Sequence, residues 1–461
     1  MRHTGQVRPD EGAIVQSKAN PTIEIGELID QRKLTPLQIT IIIMSGLVVW
    51  LDGYHIQSMA LVVPALAGEW SAKSSDFSLV LASALAGIAV GGAFLGPLGD
   101  RWGRRALMIA SMAVVGLSSI ATGYATGMTQ LIIWRFLTGL GLGASMPNAT
   151  ALTSDYMPSR RRAALVTLMF SGVAIGAFTS GFVAQPIMES FGWRGMFTIG
   201  GVLPLVMCVL LATTIPESIR LLIARAPEDP RISRILARLA PETDPRAVYA
   251  RKQEIKKQSV VALLSGTYLK GSLLLWLVFV VSMFILYFLV NWLPSLLTAQ
   301  GWPSSLALKG AVMIQAGGVT GGLILSWYVD KGKAVAAMIT AYAVTALAFG
   351  LFGVLPSSGP SWWILLFVVG GGISGGQFAL NALAAIFYPP LIRATGVGWA
   401  FSVGRIGAII SPVVGGWILR MQVAPFAVLG MLVVPVALCV AGVLMFRNTF
   451  QTAPVAAVPA K

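Results

Sequence analysis

Apolar runs of about 20 residues or more, separated by short polar stretches, fill most of this chain. They fall at approximately 38–64, 77–99, 106–125, 129–152, 163–187 and 195–215, then at 270–297, 305–329, 335–355, 362–387, 395–419 and 424–446. Roughly 20 residues at 1.5 Å each cross the hydrocarbon core of a bilayer, and in lipid a helix satisfies its own backbone polar groups. The pattern predicts an all-α integral membrane protein with twelve transmembrane helices. A polar, basic, proline-containing segment at 216–269 interrupts it and reads as a cytoplasmic linker with one or two short surface helices. The expected organisation is therefore a cytoplasmic N-terminal segment 1–37, a six-helix bundle 38–215, the linker, a second bundle 270–446 and a cytoplasmic tail 447–461. Residues 1–22 and the Ala/Pro/Val-rich tail are expected to be disordered. Ile23 to Lys33 is amphipathic enough for a short helix on the inner membrane surface, with a loop as the alternative.

The two bundles share a pattern. Gly91-Gly92 with Asp100-Arg101 recurs as Gly321-Gly322 with Asp330-Lys331, and Gly139 and Gly143 recur as Gly371 and Gly375. Tyr156-Met157-Pro158-Ser159-Arg160-Arg161 recurs as Tyr388-Pro389-Pro390-Leu391-Ile392-Arg393, and Gly172 matches Gly404. A near-constant offset at separate places points to parallel six-helix repeats, the architecture of carriers that rock two bundles about a central site.

Composition agrees. The 461 residues are 56% hydrophobic and 11% charged, where a soluble protein has about a quarter charged. The net charge of +15 would suit a nucleic-acid partner, but its distribution argues otherwise. With an internal N-terminus, only Lys73, Arg135, Arg194, Lys309, Arg405 and Arg420 of the 33 Lys and Arg fall outside cytoplasmic segments. That is the positive-inside bias, so the basicity is topological, both termini are expected in the cytoplasm, and no nucleic-acid partner is expected. Cys208 and Cys439 both sit in apolar runs, which argues against a disulfide framework or metal motif. The polar N-terminus has no apolar h-region of a cleaved signal, so the first span is expected to direct insertion.

Chemistry enters at Asp52, near the middle of the first run in Trp50-Leu51-Asp52-Gly53-Tyr54-His55. It is the only one of 18 acidic residues that these spans place at mid-membrane. An ionisable group there is costly and points to a transport pathway or proton relay, with a structural acid paired to a neighbouring helix as the bland alternative. His55, three residues on, shares its helix face. An imidazole that titrates near pH 6.5 could carry a proton, contact a substrate hydroxyl or simply be a satisfied hydrogen-bonding residue. The other histidine, His3, lies in the tail, so a metal site is not expected. Arg405, roughly 16 Å into helix 11, needs an anion, either Asp52 or another fixed group, or a substrate carboxylate held bidentately. Arg135, roughly 9 Å below the outer surface, is either functional or free to snorkel.

The loop after the second span reads Gly96-Pro97-Leu98-Gly99-Asp100-Arg101-Trp102-Gly103-Arg104-Arg105. A solvated basic loop explains its arginines but not the Gly-x-x-x-Asp-Arg-x-Gly-Arg-Arg spacing. This spacing resembles the signature of the major facilitator superfamily. The resemblance implies a gate at Gly96, Asp100, Arg101, Arg104 and Arg105, whose ion pairs hold the cytoplasmic side shut in one state and break in the other. Asp155, Arg161, Asp330 and Arg393, at the repeat-related cytoplasmic ends, are assigned to the same gating role.

Within the superfamily, several stretches resemble the aromatic acid:proton symporter family. They are Asp52-Gly53-Tyr54, Arg135-Phe136-Leu137-Thr138-Gly139-Leu140-Gly141-Leu142-Gly143, Asp155-Tyr156-Met157-Pro158-Ser159-Arg160-Arg161-Arg162, Asn291-Trp292-Leu293-Pro294, Arg393-Ala394-Thr395-Gly396-Val397-Gly398 and Gly404-Arg405-Ile406-Gly407. The resemblance implies import of benzoate-like carboxylates such as hydroxybenzoates and protocatechuate with protons; relatives carry hydroxyphenylpropionates or muconate. One departure stands out: His55 occupies the place where the family usually has a second aspartate. The resemblance also places Asn148, Gln377 and Asn381 along the cavity, as partners for a ring hydroxyl or as polar contacts between helices. Tyr54, Trp399 and Phe401 are candidates for stacking on a substrate ring.

The expected function is a monomeric inner-membrane carrier that imports a small aromatic acid with protons, its site near Asp52, His55 and Arg405. The rivals are a carrier of another organic acid, an exporter, or a sensor on the same scaffold. An enzyme is not expected, because no Ser/His/Asp set, metal cluster or phosphate loop is present. No cofactor is expected, and an ion gradient is left as the energy source.

Overall fold

The structure, a computed structural model, describes residues 23–226, 228–241, 249–250, 263–264, 266–355, 359–389 and 392–452. The expectations for residues 1–22 with His3, for most of 242–262, for Pro390 and Leu391 of the repeated motif, and for the tail beyond 452 lie outside the described residues.

The chain is built almost wholly of helices. Among the described residues, ten helices are long and apolar enough to cross a membrane, and the protein is a multi-pass membrane protein. Large apolar side chains such as Leu117, Phe182, Leu323, Leu347, Ile364 and Trp417 stay exposed on the outside of the bundle, where lipid tails would cover them.

A two-residue strand, β1 (Ile23–Glu24), and a short helix, α1 (Ile25–Asp30), precede the first long helix, α2 (Pro36–Glu69). α2 starts where it does because Thr35 and Gln38 cap each other reciprocally and Pro36 takes the first helical position. Asp52 lies near its middle. The second expected span is not one regular helix. α3 (Ser78–Val90) runs into a π-helical turn (Gly91–Leu95), where the Gly96 N–H reaches back to the Gly91 carbonyl, then a 3₁₀ turn (Gly96–Leu98) and α4 (Gly99–Trp102).

α5 (Arg104–Gly123) and α6 (Met128–Tyr156) follow, then α7 (Ser159–Thr214). α7 covers two expected spans: two helices meet at a kink at Gly192, whose non-helical φ of +65° suits glycine. The linker holds two short helices, α8 (Ile219–Arg225) and α9 (Pro230–Leu239), and a strand β2 (Tyr249–Ala250) parallel to β1. α9 turns Ile232, Ile235, Leu236 and Leu239 onto Ile25 and Ile29 of α1 and Leu37 of α2, so linker and N-terminal segment share one core with the first bundle.

The second bundle comprises α10 (Leu269–Ala299), α11 (Ser304–Asp330), α12 (Ala334–Phe352), α13 (Pro360–Phe387), α14 (Arg393–Arg420), α15 (Pro425–Met431) and α16 (Val433–Thr452). The last expected span is broken at Leu432 into α15 and α16.

Packing follows small residues. Carbonyls of Ala84 and Ile88 on α3 sit where a β-carbon on Gly139 or Gly143 of α6 would fall. Gly317 and Gly321 of α11 meet the backbone of α13 at Phe367 and Gly371 in the same way. Small residues let backbones approach in lipid, where no hydrophobic force draws helices together. The first half pairs α2 with α7 and α3 and α5 with α6, and the second pairs α10 with α14 and α11 with α13; the halves meet along α3–α14, α7–α11 and α2–α10.

Candidate functional site

Between the halves lies a cavity of about 50 Å³. α2 contributes Asp52 and Ile56, α3 Leu85 and Ile88, and α6 Met146; the second half contributes Met283 and Tyr287 from α10 and Phe401 and Arg405 from α14. An acid from one half and a base from the other thus line a single space that is otherwise apolar and aromatic.

Asp52 is buried, and the Ser145 hydroxyl of α6 stands 3.2 and 3.3 Å from its two carboxylate oxygens and 2.8 Å from the Leu142 carbonyl, so its single proton is shared among these acceptors. Arg405 is half-buried. Its Nη1 donates to the Ile88 carbonyl of α3 at 3.2 Å, and its guanidinium carbon stands 5.3 Å from the Phe401 ring centroid. Asp52 and Arg405 form no ion pair with each other among the described residues. Of the two anions considered for Arg405 in the sequence, the fixed one is therefore not its partner here, and the guanidinium is held by a neutral carbonyl and a ring face.

His55 does not join them. Ile56 shares the Asp52 side of α2, while His55 turns into the first half, edge-on to Tyr54 at 5.6 Å between ring centroids and against Gly200 of α7. Neither imidazole nitrogen has a well-formed hydrogen-bond partner among the described residues. Tyr54 is committed as well, its hydroxyl donating to the Met196 carbonyl at 2.9 Å. Arg135 does not snorkel. Only 1% exposed, it donates from Nη2 to the His55 carbonyl at 2.9 Å and lies over the Phe197 ring. Its Nε and Nη1 have no hydrogen-bond partner among the described residues, and the residue borders a second space of about 10 Å³, shared with Asn291 of α10 and walled by Ile56, Leu85 and Ile88, which also wall the first.

The other polar candidates lie off the cavity. Asn148 donates to the carbonyls of Gly96 and Ala144 at 3.1 and 2.8 Å, tying the turn after α3 to α6. Gln377 accepts from Ser282, itself bonded to the Tyr342 hydroxyl, inside the second half. Asn381 is half-buried on α13. Of the ring candidates, Phe401 lines the cavity, whereas Trp399 stacks on Trp276 at the outside of the bundle.

The Gly-rich loop forms a clasp inside the first half. Arg104 pairs with Asp100 at 3.1 Å and with Asp155, which also accepts from Ser218. The Glu217 carboxylate accepts the backbone N–H groups of Arg104 and Arg105 at 2.8 and 3.2 Å, capping α5 beside Gly103. Arg105 reaches the carbonyls of Leu211 and Ala212, and Arg225 reaches the Asp100 carbonyl. The ion pairs tie Arg104 to Asp100 within the loop and to Asp155 of α6, and hydrogen bonds at Glu217 and Arg225 add the linker, so the clasp lies within the first half rather than between the halves. Arg101, Arg161 and Asp330 are exposed, and Arg393 donates to the Tyr388 carbonyl at 3.2 Å.

Contacts between the halves stand at mid-depth and toward the face away from these arginine-rich loops. Arg420 pairs with Asp76 at 3.2 Å, Gly416 abuts Ser78, Gln315 bonds Gln57 at 3.3 Å, and Gly181 meets Val312.

Ser145, Met146, Met283, Tyr287 and Glu217 were not anticipated. Tyr287 could have been found, since it sits one turn before Asn291 on α10 and so shares its face. Glu217 is an acid directly after an apolar run in a basic segment, which is a signal for a fixed partner.

Residues 41–412 match the family model of the Major Facilitator Superfamily. The chain is 36% identical to the 4-hydroxybenzoate transporter PcaK of Pseudomonas aeruginosa, covering 92% of this chain and 95% of that one. It is 32% identical to a gallate transporter of Pseudomonas putida (87% and 89% covered) and 30% identical to a benzoate transport protein of Acinetobacter baylyi (94% and 95%). Among solved structures, a bacterial homolog of the human lysosomal transporter Spinster, inward-facing and unoccupied, superposes with a TM-score of 0.65 at 16% identity, covering 93% of this chain and all of that one. The last likeness concerns the fold alone.

Proposed function

The chain belongs to the Major Facilitator Superfamily, and on that premise we propose that it is a proton-coupled secondary transporter importing an aromatic carboxylate of the hydroxybenzoate or benzoate type. One observation carries the reading: Asp52 of the first half and Arg405 of the second line the same cavity, beside the rings of Phe401 and Tyr287. A guanidinium stays charged and matches a carboxylate in a bidentate pair. Aromatic and thioether side chains suit a ring. The Asp52 carboxyl, at mid-depth, is the proton carrier. The anion alone would leave the cavity with one net negative charge, whereas anion and proton together restore the neutrality of the empty Asp52–Arg405 site, which lowers the cost of closing the bundles around it. The names of the relatives support the substrate class.

In this reading the protein has twelve transmembrane passages, because the Gly192 kink separates two crossings of α7 and α6 is a further crossing despite its polar residues. The matching glycine crossings of α3 on α6 and α11 on α13 support two parallel repeats. The arginine-rich loops face the cytoplasm, with both termini, and the membrane is the inner one. The contacts at Asp76–Arg420 then close the outer side. The carrier works as a monomer with no cofactor.

Competition tests this. Unlabelled benzoates, hydroxybenzoates, gallate, phenylpropionates, muconate and aliphatic acids are offered against labelled 4-hydroxybenzoate in proteoliposomes. Inhibition restricted to aromatic carboxylates supports the assignment; preference for muconate or an aliphatic acid overturns it.

A further inference from the structure

The contact between Arg405 and α3 joins the two halves at the centre of the molecule, and its seat is specific. The Ile88 carbonyl is the acceptor, 3.2 Å from Nη1, just before the π-helical turn Gly91–Leu95. Such turns often mark functional sites, because they displace a helix's hydrogen-bonding register. Gly92, inside that turn, provides the room: a β-carbon there would stand 2.9 Å from Arg405 Nη1 and 3.4 Å from the Gly143 carbonyl. At Gly87, Gly91, Gly139 and Gly143 an added β-carbon meets the backbone of the α3–α6 crossing instead. Gly92 is thus the glycine of this crossing whose closest neighbour is the tip of a flexible side chain from the other half.

We propose that Gly92 and the Ile88 carbonyl form a seat for Arg405 that latches the halves together in the ligand-free protein, with Gly92 acting as a positioning residue. The substrate step rests on the proposed function above. A carboxylate is a stronger partner for a guanidinium than a neutral carbonyl, so an arriving aromatic acid draws Arg405 off Ile88 and frees the bundles to move. A ligand shifts a conformational equilibrium only through such a differential interaction, and the exchange of partners supplies it.

The latch is tested without ligand. Spin labels at Lys73→Cys and Gln422→Cys, exposed on the two halves near the Asp76–Arg420 contact, report closure by pulsed dipolar spectroscopy, with Cys208 and Cys439 replaced by alanine. G92A and R405Q are each expected to shift the ratio of close to separated pairs about tenfold toward separation, the size of one hydrogen bond to a charged group. The G92A/R405Q double variant is expected to shift it no further than R405Q alone, because the two act through one contact. Packing of α3 on α6 would make the effects multiply. The proposal is overturned if either single variant keeps the parental ratio, if the double variant gives the product of both, or if G92A fails to fold. Parental protein that takes up no aromatic acid would overturn the substrate reading, and the ligand-free distances would still decide the latch.

Discussion

Ser145 on α6 stands beside Asp52 on α2, its hydroxyl 3.2 and 3.3 Å from the two carboxylate oxygens and 2.8 Å from the Leu142 carbonyl, in the middle of the first bundle. The acid lines the cavity beside a shared hydroxyl donor and forms no ion pair among the described residues. D52N keeps the shape and accepts the same hydroxyl but cannot cycle a proton. It is expected to abolish stimulation of uptake by an imposed pH gradient while leaving exchange of labelled for unlabelled substrate. S145A removes one donor only, and it is expected to slow uptake severalfold with gradient stimulation retained. Initial rates with and without the gradient check both.

Arg405 is expected to set affinity. Loss of a charge-assisted, bidentate contact is worth about 1.5–3 kcal/mol, so R405Q should weaken binding of an aromatic acid roughly 10- to 100-fold, and R405K should recover part of it. Titration calorimetry on the detergent-solubilised protein measures this. Unchanged affinity in R405Q would move the carboxylate site elsewhere, with Arg135 next in line.

His55 is a case where structure redirects an expectation. Buried against Gly200 and Tyr54 and outside the cavity, it is expected to matter for stability rather than coupling. H55N should cost about 1–3 kcal/mol of stability, the usual range for a buried polar substitution, and keep gradient-driven uptake. Selective loss of gradient stimulation in H55N would restore it as a proton carrier.

Glu217 caps α5 where Gly103, at φ +111°, admits the chain. E217A should cost about 1–2 kcal/mol by loss of the cap. G103A should cost about 1–3 kcal/mol through an unfavourable backbone conformation. Because both disturb one seat, the double variant should lose less than their sum, which thermal unfolding in detergent can measure.

Much of this was legible in the sequence, for identifiable reasons. Asp52 stood out because a charge in a long apolar run has few explanations, and the arginine-rich loops stood out by spacing. Which way side chains turn was harder to read. His55 and Asp52, three residues apart, differ by about 60° around the helix, enough to send one into the cavity and the other into the bundle. Depth alone suggested that Arg135 could snorkel, but its side chain is buried and turned onto the His55 carbonyl of α2. Met146 and Met283 look in sequence like any lipid-facing residue, since lining and lipid contact use the same side chains. The π-helical turn at Gly91–Leu95 leaves no periodic trace, and only packing shows that Gly92 makes room for Arg405.

The most direct measurement is the initial rate of saturable 4-hydroxybenzoate uptake into proteoliposomes, with the outside acidified or not, against protein-free vesicles and D52N. The expected result is uptake that rises with the inward proton gradient in the parental protein and does not respond to it in D52N. Saturable uptake equally fast without a gradient, or equally gradient-driven in D52N, would contradict a proton-coupled site at Asp52.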